Sequence, residues 1–159
     1  MRLLLVRHGE AVDPAEARTD GLRWLTSRGR GAVHRLAARL AERGVLPRRL
    51  WTSPLVRAVQ TAEVLAGAAH AGGLEPEVRV ASALAPDEGS SADLFELLLT
   101  EAYEEPVALV GHEPSLRIFA GHLLRSAREP AFHTADAWLL QLDVATQRAE
   151  LLARFGTER

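Results

Sequence analysis

Two short apolar runs constrain this chain more than any other feature. They are Leu3-Leu4-Leu5-Val6 at one end and Val107-Ala108-Leu109-Val110 two thirds of the way along. Neither alternates with polar residues, so each predicts a strand buried on both faces, as in a parallel sheet covered by helices. The intervening segments supply those helices. Thr26 is a good N-cap for a helix bearing Val33, Leu36, Ala37 and Leu40, with Gly44 in the C′ role that ends it. A short strand around 50–52 stops at Ser53-Pro54, which reads as N-cap and N1 of a second helix carrying Leu55, Val59, Ala62 and Ala66. A third strand is expected over 78–84, then a helix with Leu94, Leu97 and Leu98. Pro114 suits N1 of a last helix, with Leu116, Phe119, Ala120, Leu123 and Leu124 on its inner face. Alternation over 137–142 and 149–155 suggests closing antiparallel strands. The expectation is a three-layer α/β/α sandwich with a mainly parallel sheet, organised as a single domain over 1–159 without a large cap.

In such sheets ligands bind beyond the carboxyl ends of the strands. The first strand delivers Arg7, His8 and Gly9. The second delivers Ser53-Pro54, with Arg57 one turn into its helix, and the run at 107–110 delivers Gly111 and His112. Two arginines and two histidines are thus expected at one edge of the sheet. Phosphate suits such a cluster, because guanidinium groups donate bidentate, charge-assisted hydrogen bonds to phosphoryl oxygens. The helix N-termini behind Ser53-Pro54 and Glu113-Pro114 add N–H groups and positive dipole ends. A histidine among these cations resists protonation and keeps a ring nitrogen free to attack phosphorus. A covalent histidine intermediate would divide hydrolysis into two easier displacements.

The segments that carry these residues resemble a known family. Val6-Arg7-His8-Gly9-Glu10 is similar to the signature of the histidine phosphatase superfamily, also called phosphoglycerate mutase-like. Leu25-Thr26-Ser27-Arg28-Gly29 resembles that family's Leu-Thr-x-x-Gly segment. Residues 53–62, Ser53-Pro54-Leu55-Val56-Arg57-Ala58-Val59-Gln60-Thr61-Ala62, follow its Ser-Pro-x-x-Arg-Ala-x-Gln-Thr-Ala segment, and Val110-Gly111-His112 its second-histidine segment. The resemblance implies that His8 is phosphorylated during turnover, with Arg7, Arg57 and His112 forming the phosphate pocket. Arg23 is similarly placed to a phosphate-binding arginine of several small members. The layout, including Gly111-His112-Glu113-Pro114-Ser115-Leu116, resembles the small bacterial phosphohistidine phosphatases, because little chain between Ala62 and Val107 is available for a lid. That implies a phosphatase of protein phosphohistidine, its partner a phosphorylated protein such as a histidine phosphotransfer domain. The competing expectation is a small phosphorylated metabolite, a sugar phosphate or nucleotide. A phosphate or sulfate ion is expected to suit the pocket, and no cofactor or metal is implied. Asp87 and Glu88 lie where a proton donor would be sought, although loop carboxylates beside Gly and Ser are commonly solvated turn residues.

Composition removes other classes of function. A formal net charge of −2 argues against a nucleic-acid footprint. The lack of cysteine excludes disulfides and thiolate metal sites. No apolar run approaches the roughly 20 residues of a membrane span, and the apolar start is too short for a signal segment; a cytoplasmic location is the expectation. His34, His70, His122 and His133 lack the spacing of a metal site, although His133 could line the pocket from the last loop. Glu10 could orient an arginine or simply face water. A non-catalytic phosphoprotein-binding module would place the same residues together, but binding alone has no use for a nucleophile such as His8.

Overall fold

The computed structural model describes residues 1–100 and 105–156. Its elements are β1 (Arg2–Arg7), α1 (Ser27–Glu42), β2 (Arg49–Thr52), α2 (Val56–Ala71), β3 (Glu77–Val80), α3 (Ser91–Leu99), β4 (Val107–Gly111), α4 (Ser115–Leu124), β5 (Ala137–Asp143) and β6 (Arg148–Phe155), with short 3-10 turns at Pro14–Glu16, Asp20–Leu22 and Ser82–Leu84. The strands form one sheet in the order β3-β2-β4-β1-β5-β6. The first four of that order run parallel, while β5 and β6 are antiparallel. The mainly parallel α/β fold read from the sequence is the fold observed.

The two apolar runs occupy the adjacent central strands, paired Leu3 to Val107 through Val6 to Val110. Successive residues of a strand point to opposite faces, and the core divides accordingly. Leu4, Val6, Ala108 and Val110 pack under α1 and α2. Leu3, Leu5, Val107 and Leu109 pack under α3 and α4. An uninterrupted apolar run is thus the requirement of a strand that serves two cores. Among the described residues, no helix is long and apolar enough to cross a membrane.

Several local expectations are met and several corrected. The Thr26 hydroxyl caps α1 by accepting from Gly29 N, and Gly44 follows the helix at φ +70°, a conformation glycine adopts without strain. The second helix begins at Val56, so Ser53 and Pro54 lie outside it. The Ser53 hydroxyl accepts from Leu55 N and bonds His112 instead of capping the helix. Likewise Pro114 is the N-cap of α4, one position before N1. The third strand ends at Val80 and is exposed along its length, because it forms a sheet edge and the chain turns into a 3-10 turn at Ser82.

Candidate active site

The carboxyl ends of β1, β2 and β4 do meet. The ladder runs one step past the strands: His8 N donates to Gly111 O at 3.2 Å, and Ser53 N donates to Val110 O at 3.0 Å. This register puts His8 beside His112, with ring centroids 5.0 Å apart. Arg57, in the first turn of α2, reaches over the same edge. Its Nε donates to His8 Nε2 at 3.4 Å. Arg7 lies within electrostatic range of both His8 and Arg57. Its Nη1 donates to Phe132 O at 2.8 Å, while its buried Nε has no partner among the described residues. His8, Arg57, His112 and Ser53 are all buried.

The residues around this cluster explain why the sequence needs its polar segments. Gly9 N donates to the Thr61 hydroxyl at 3.1 Å, and that hydroxyl donates to Arg57 O at 2.8 Å. One buried threonine therefore ties the backbone after β1 to the turn that carries Arg57. Gln60, its neighbour, accepts from Leu25 N at 2.8 Å and anchors the loop before α1. At the start of that helix there is no room for a side chain at position 29, where a Cβ would lie 2.1 Å from Glu10 O. Glu10 itself accepts from the Thr26 hydroxyl and faces Arg28 across 3.9 Å, so it serves the helix start.

The hydrogen bonds also assign the tautomer of His8. Its Nδ1 lies 2.7 Å from Gly9 O. A carbonyl only accepts, so Nδ1 carries the proton and Nε2 keeps its lone pair. Burial, with smaller contributions from Arg57, Arg7 and Arg23, lowers the pKa of His8 to about 4. The ring is therefore neutral at physiological pH. Sequence reasoning named the cations as the cause, but desolvation is the larger effect. His112 is pushed to about 3, again first by burial and then by His8 and Arg57. Its Nε2 is 2.8 Å from Ser53 Oγ. Ser53 Oγ also accepts from Leu55 N, so one hydroxyl ties the start of the second helix to the His112 ring.

Residues 3–84 match the histidine phosphatase superfamily (branch 1). The chain belongs to this superfamily. This histidine phosphatase is 41% identical, over 117 residues, to an uncharacterized protein of Picosynechococcus sp., a match spanning 73% of this chain and 68% of the relative. In three dimensions it is similar to the protein histidine phosphatase SixA complexed with tungstate, with TM-score 0.85 and 24% identity over 99% of this chain and 97% of the other. The mycobacterial glucosyl-3-phosphoglycerate phosphatase complexed with VO3 aligns at TM-score 0.72 and 21% identity, over 99% of both chains. Identities this low establish a common fold. The enzyme class is that of a phosphatase.

The remaining candidates of the phosphatase fall into two groups. Arg23 lies beside the cluster: its Nε donates to Val12 O and its Nη1 to Asp20 Oδ1, and its charge reaches His8. Asp87 and Glu88 stand on the loop between the Ser82–Leu84 turn and α3. Glu88 lines a cavity with Trp51, Asp93 and Thr100, and among the described residues neither carboxylate hydrogen-bonds or ion-pairs with the cluster. His34, His70, His122 and His133 are exposed, and His133 faces Asp136 at 3.3 Å. Among the described residues, no group of three or more His, Cys, Asp or Glu is arranged to hold a metal. Sequence reasoning missed Asp20. Its backbone carbonyl accepts from Arg57 Nη1 at 2.8 Å, its Oδ2 from Arg57 Nη2 at 3.2 Å and its Oδ1 from Arg23 Nη1 at 3.0 Å. No motif flags this residue, because its position depends on how one irregular turn folds back over α2.

Proposed function

We propose that the chain hydrolyses protein phosphohistidine through a phosphorylated His8. The observation that carries this reading is the Nδ1 bond of His8 to Gly9 O, which leaves a neutral Nε2 lone pair beside the guanidinium of Arg57. In the first step Nε2 attacks phosphorus. The bond from phosphorus to the substrate imidazole breaks, and its electron pair stays with the departing nitrogen. If that ring carries a proton on its other nitrogen, it leaves neutral and takes no proton from the enzyme. In the second step water attacks the phosphorylated His8. The electron pair of the P–N bond returns to Nε2, and both water hydrogens leave with the phosphate.

Arg7, Arg57 and His112 hold the phosphoryl oxygens in this scheme, and Arg23 completes the charge around them. Such preorganised donors are the main resource for phosphoryl transfer, where positioning and charge stabilisation dominate. A protein substrate is supported by the chain path. Between β3 and β4 the described residues build only one 3-10 turn and the nine-residue α3, and we propose that the whole chain is one domain without a large cap. A phosphoester of a small metabolite is the alternative, favoured by the likeness to the glucosyl-3-phosphoglycerate phosphatase. Asp87 or Glu88 would then be the residue to supply a proton to the departing alcohol.

The test has two arms. Labelled phosphohistidine protein, quenched under alkaline conditions, should leave phosphate on His8, and His8→Ala should remove both the label and at least about 10³-fold of turnover. Unchanged turnover in that variant would end the mechanism. A higher kcat/KM for sugar phosphates or nucleotides than for a phosphohistidine domain would overturn the substrate.

A further inference from the structure

We infer that Asp20 is the residue that selects substrates in which the phosphorylated group itself carries a positive charge. The inference rests on the phosphohistidine reading of the site and adds to it the group that recognises the departing ring.

Arg57 spans the distance between nucleophile and carboxylate. Its Nε points to His8 Nε2, and its two terminal nitrogens point to Asp20. The carboxylate therefore stands on the far side of the Arg57 guanidinium from the attacking nitrogen. In an in-line displacement the phosphorus lies next to the nucleophile and the leaving group lies beyond it. Asp20 belongs to the rim of the phosphate pocket, bonded to Arg57 and within electrostatic range of His112. It is also open to that space, with 61% of its side chain exposed. A phosphoryl group that draws on the terminal nitrogens of Arg57 competes directly with Oδ2 for them.

A carboxylate on the arginines of a phosphate pocket is at first sight unhelpful, since it repels every phosphoryl group. Its presence makes chemical sense when the substrate brings a positive charge of its own. Phosphohistidine does so when its ring is protonated, and that form is the one whose P–N bond breaks without an acid. Asp20 would hold the proton on the ring, because an opposite charge nearby favours the charged form. Arg23 and Arg57, chiefly Arg23, keep its own carboxyl below the usual aspartate range, so it is an anion at working pH and is unsuited to donating a proton itself. The other groups facing it are few: the neutral His112 lies within electrostatic range, and Arg57 and Arg23 are its direct partners. An aryl phosphate, whose leaving group departs as an anion, would gain nothing from such a neighbour.

The experiment compares free phosphohistidine with p-nitrophenyl phosphate in the wild-type chain, in Asp20→Asn and in Asp20→Glu. The Asn variant keeps the backbone carbonyl bond to Arg57, and thermal unfolding checks that it folds. The ratio of kcat/KM for phosphohistidine over the aryl phosphate should fall about tenfold in Asp20→Asn. The alkaline limb of the phosphohistidine profile should move to lower pH, with partial recovery of both in Asp20→Glu. Equal losses on both substrates with an unmoved pH profile would overturn the inference and leave Asp20 a mere prop for Arg57. That result would spare the substrate reading, provided the wild-type chain still prefers phosphohistidine. Wild-type preference for phosphoesters would overturn both.

Discussion

His8 and Asp20 approach Arg57 from opposite ends, yet their surroundings differ in almost every respect. His8 is 7% exposed, stands at the end of a central strand and is flanked by Gly9, whose backbone Thr61 ties to Arg57. Asp20 lies in a three-residue 3-10 turn with no buried residue of its own. It holds its place by reaching for two guanidinium groups. The inner frame is therefore maintained by the fold, whereas the outer rim is maintained by charge. A hydrogen bond between buried groups costs more to break than an exposed ion pair, because the abandoned partner stays desolvated.

That contrast can be broken experimentally. The largest effect should come from Arg57→Ala, which removes the one side chain shared by frame and rim. Losing a charged donor from a buried pocket should lower kcat/KM about 10²–10³-fold, measured with any accepted substrate. A loss under tenfold would mean that the frame does not depend on it.

Acid should act next, and on the frame alone. The pKa of His8 in the folded chain is about 4, below its ordinary 6.5. Between those values the unfolded chain binds a proton that the native chain refuses. The stability that comes from keeping this ring neutral is complete above pH 6.5 and is lost as pH falls toward 4. Activity that depends on unprotonated His8 should persist through this window, with its acid limb near pH 4. Denaturant melts and rate profiles at matched pH would show both, and an acid limb near 6.5 would contradict the buried, neutral ring.

The smallest effect belongs to the rim. Arg23→Ala breaks an exposed pair with Asp20 and should change stability by no more than about 1 kcal/mol. It should nevertheless weaken phosphate inhibition, and more so at low salt, because exposed charges are screened. A stability loss comparable to that of a core truncation would erase the distinction between the two regions.

The frame was largely legible in the sequence and the rim was not. Arg7, His8, Arg57 and His112 could be brought together because apolar runs predict strands, and a parallel sheet gathers its ligands beyond the strands' carboxyl ends; the structure adds the order that makes those ends adjacent. Local propensity makes Ser53 a helix cap because it knows nothing of His112, which claims the hydroxyl from another strand. The apolar pattern over 78–84 extends past the third strand because the residues after Val80 pack through a 3-10 turn. Asp20 left no mark, since a lone acidic residue in a polar stretch acquires meaning only from the loop's path. Asp87 and Glu88 stand out only by their position in the chain, and Glu88 lines a cavity with Trp51 and Asp93.

The bond from His8 Nδ1 to Gly9 O carries one more consequence, which concerns time. After phosphoryl transfer in the proposed cycle, Nε2 bears phosphorus while Nδ1 still holds its proton against a carbonyl. The phosphorylated ring is then kept as a cation, the form that gives up phosphorus most readily. A single backbone oxygen would thereby make His8 a poor store of phosphoryl groups and a good relay to water. The lifetime of the intermediate, as well as its formation, would then depend on Gly9.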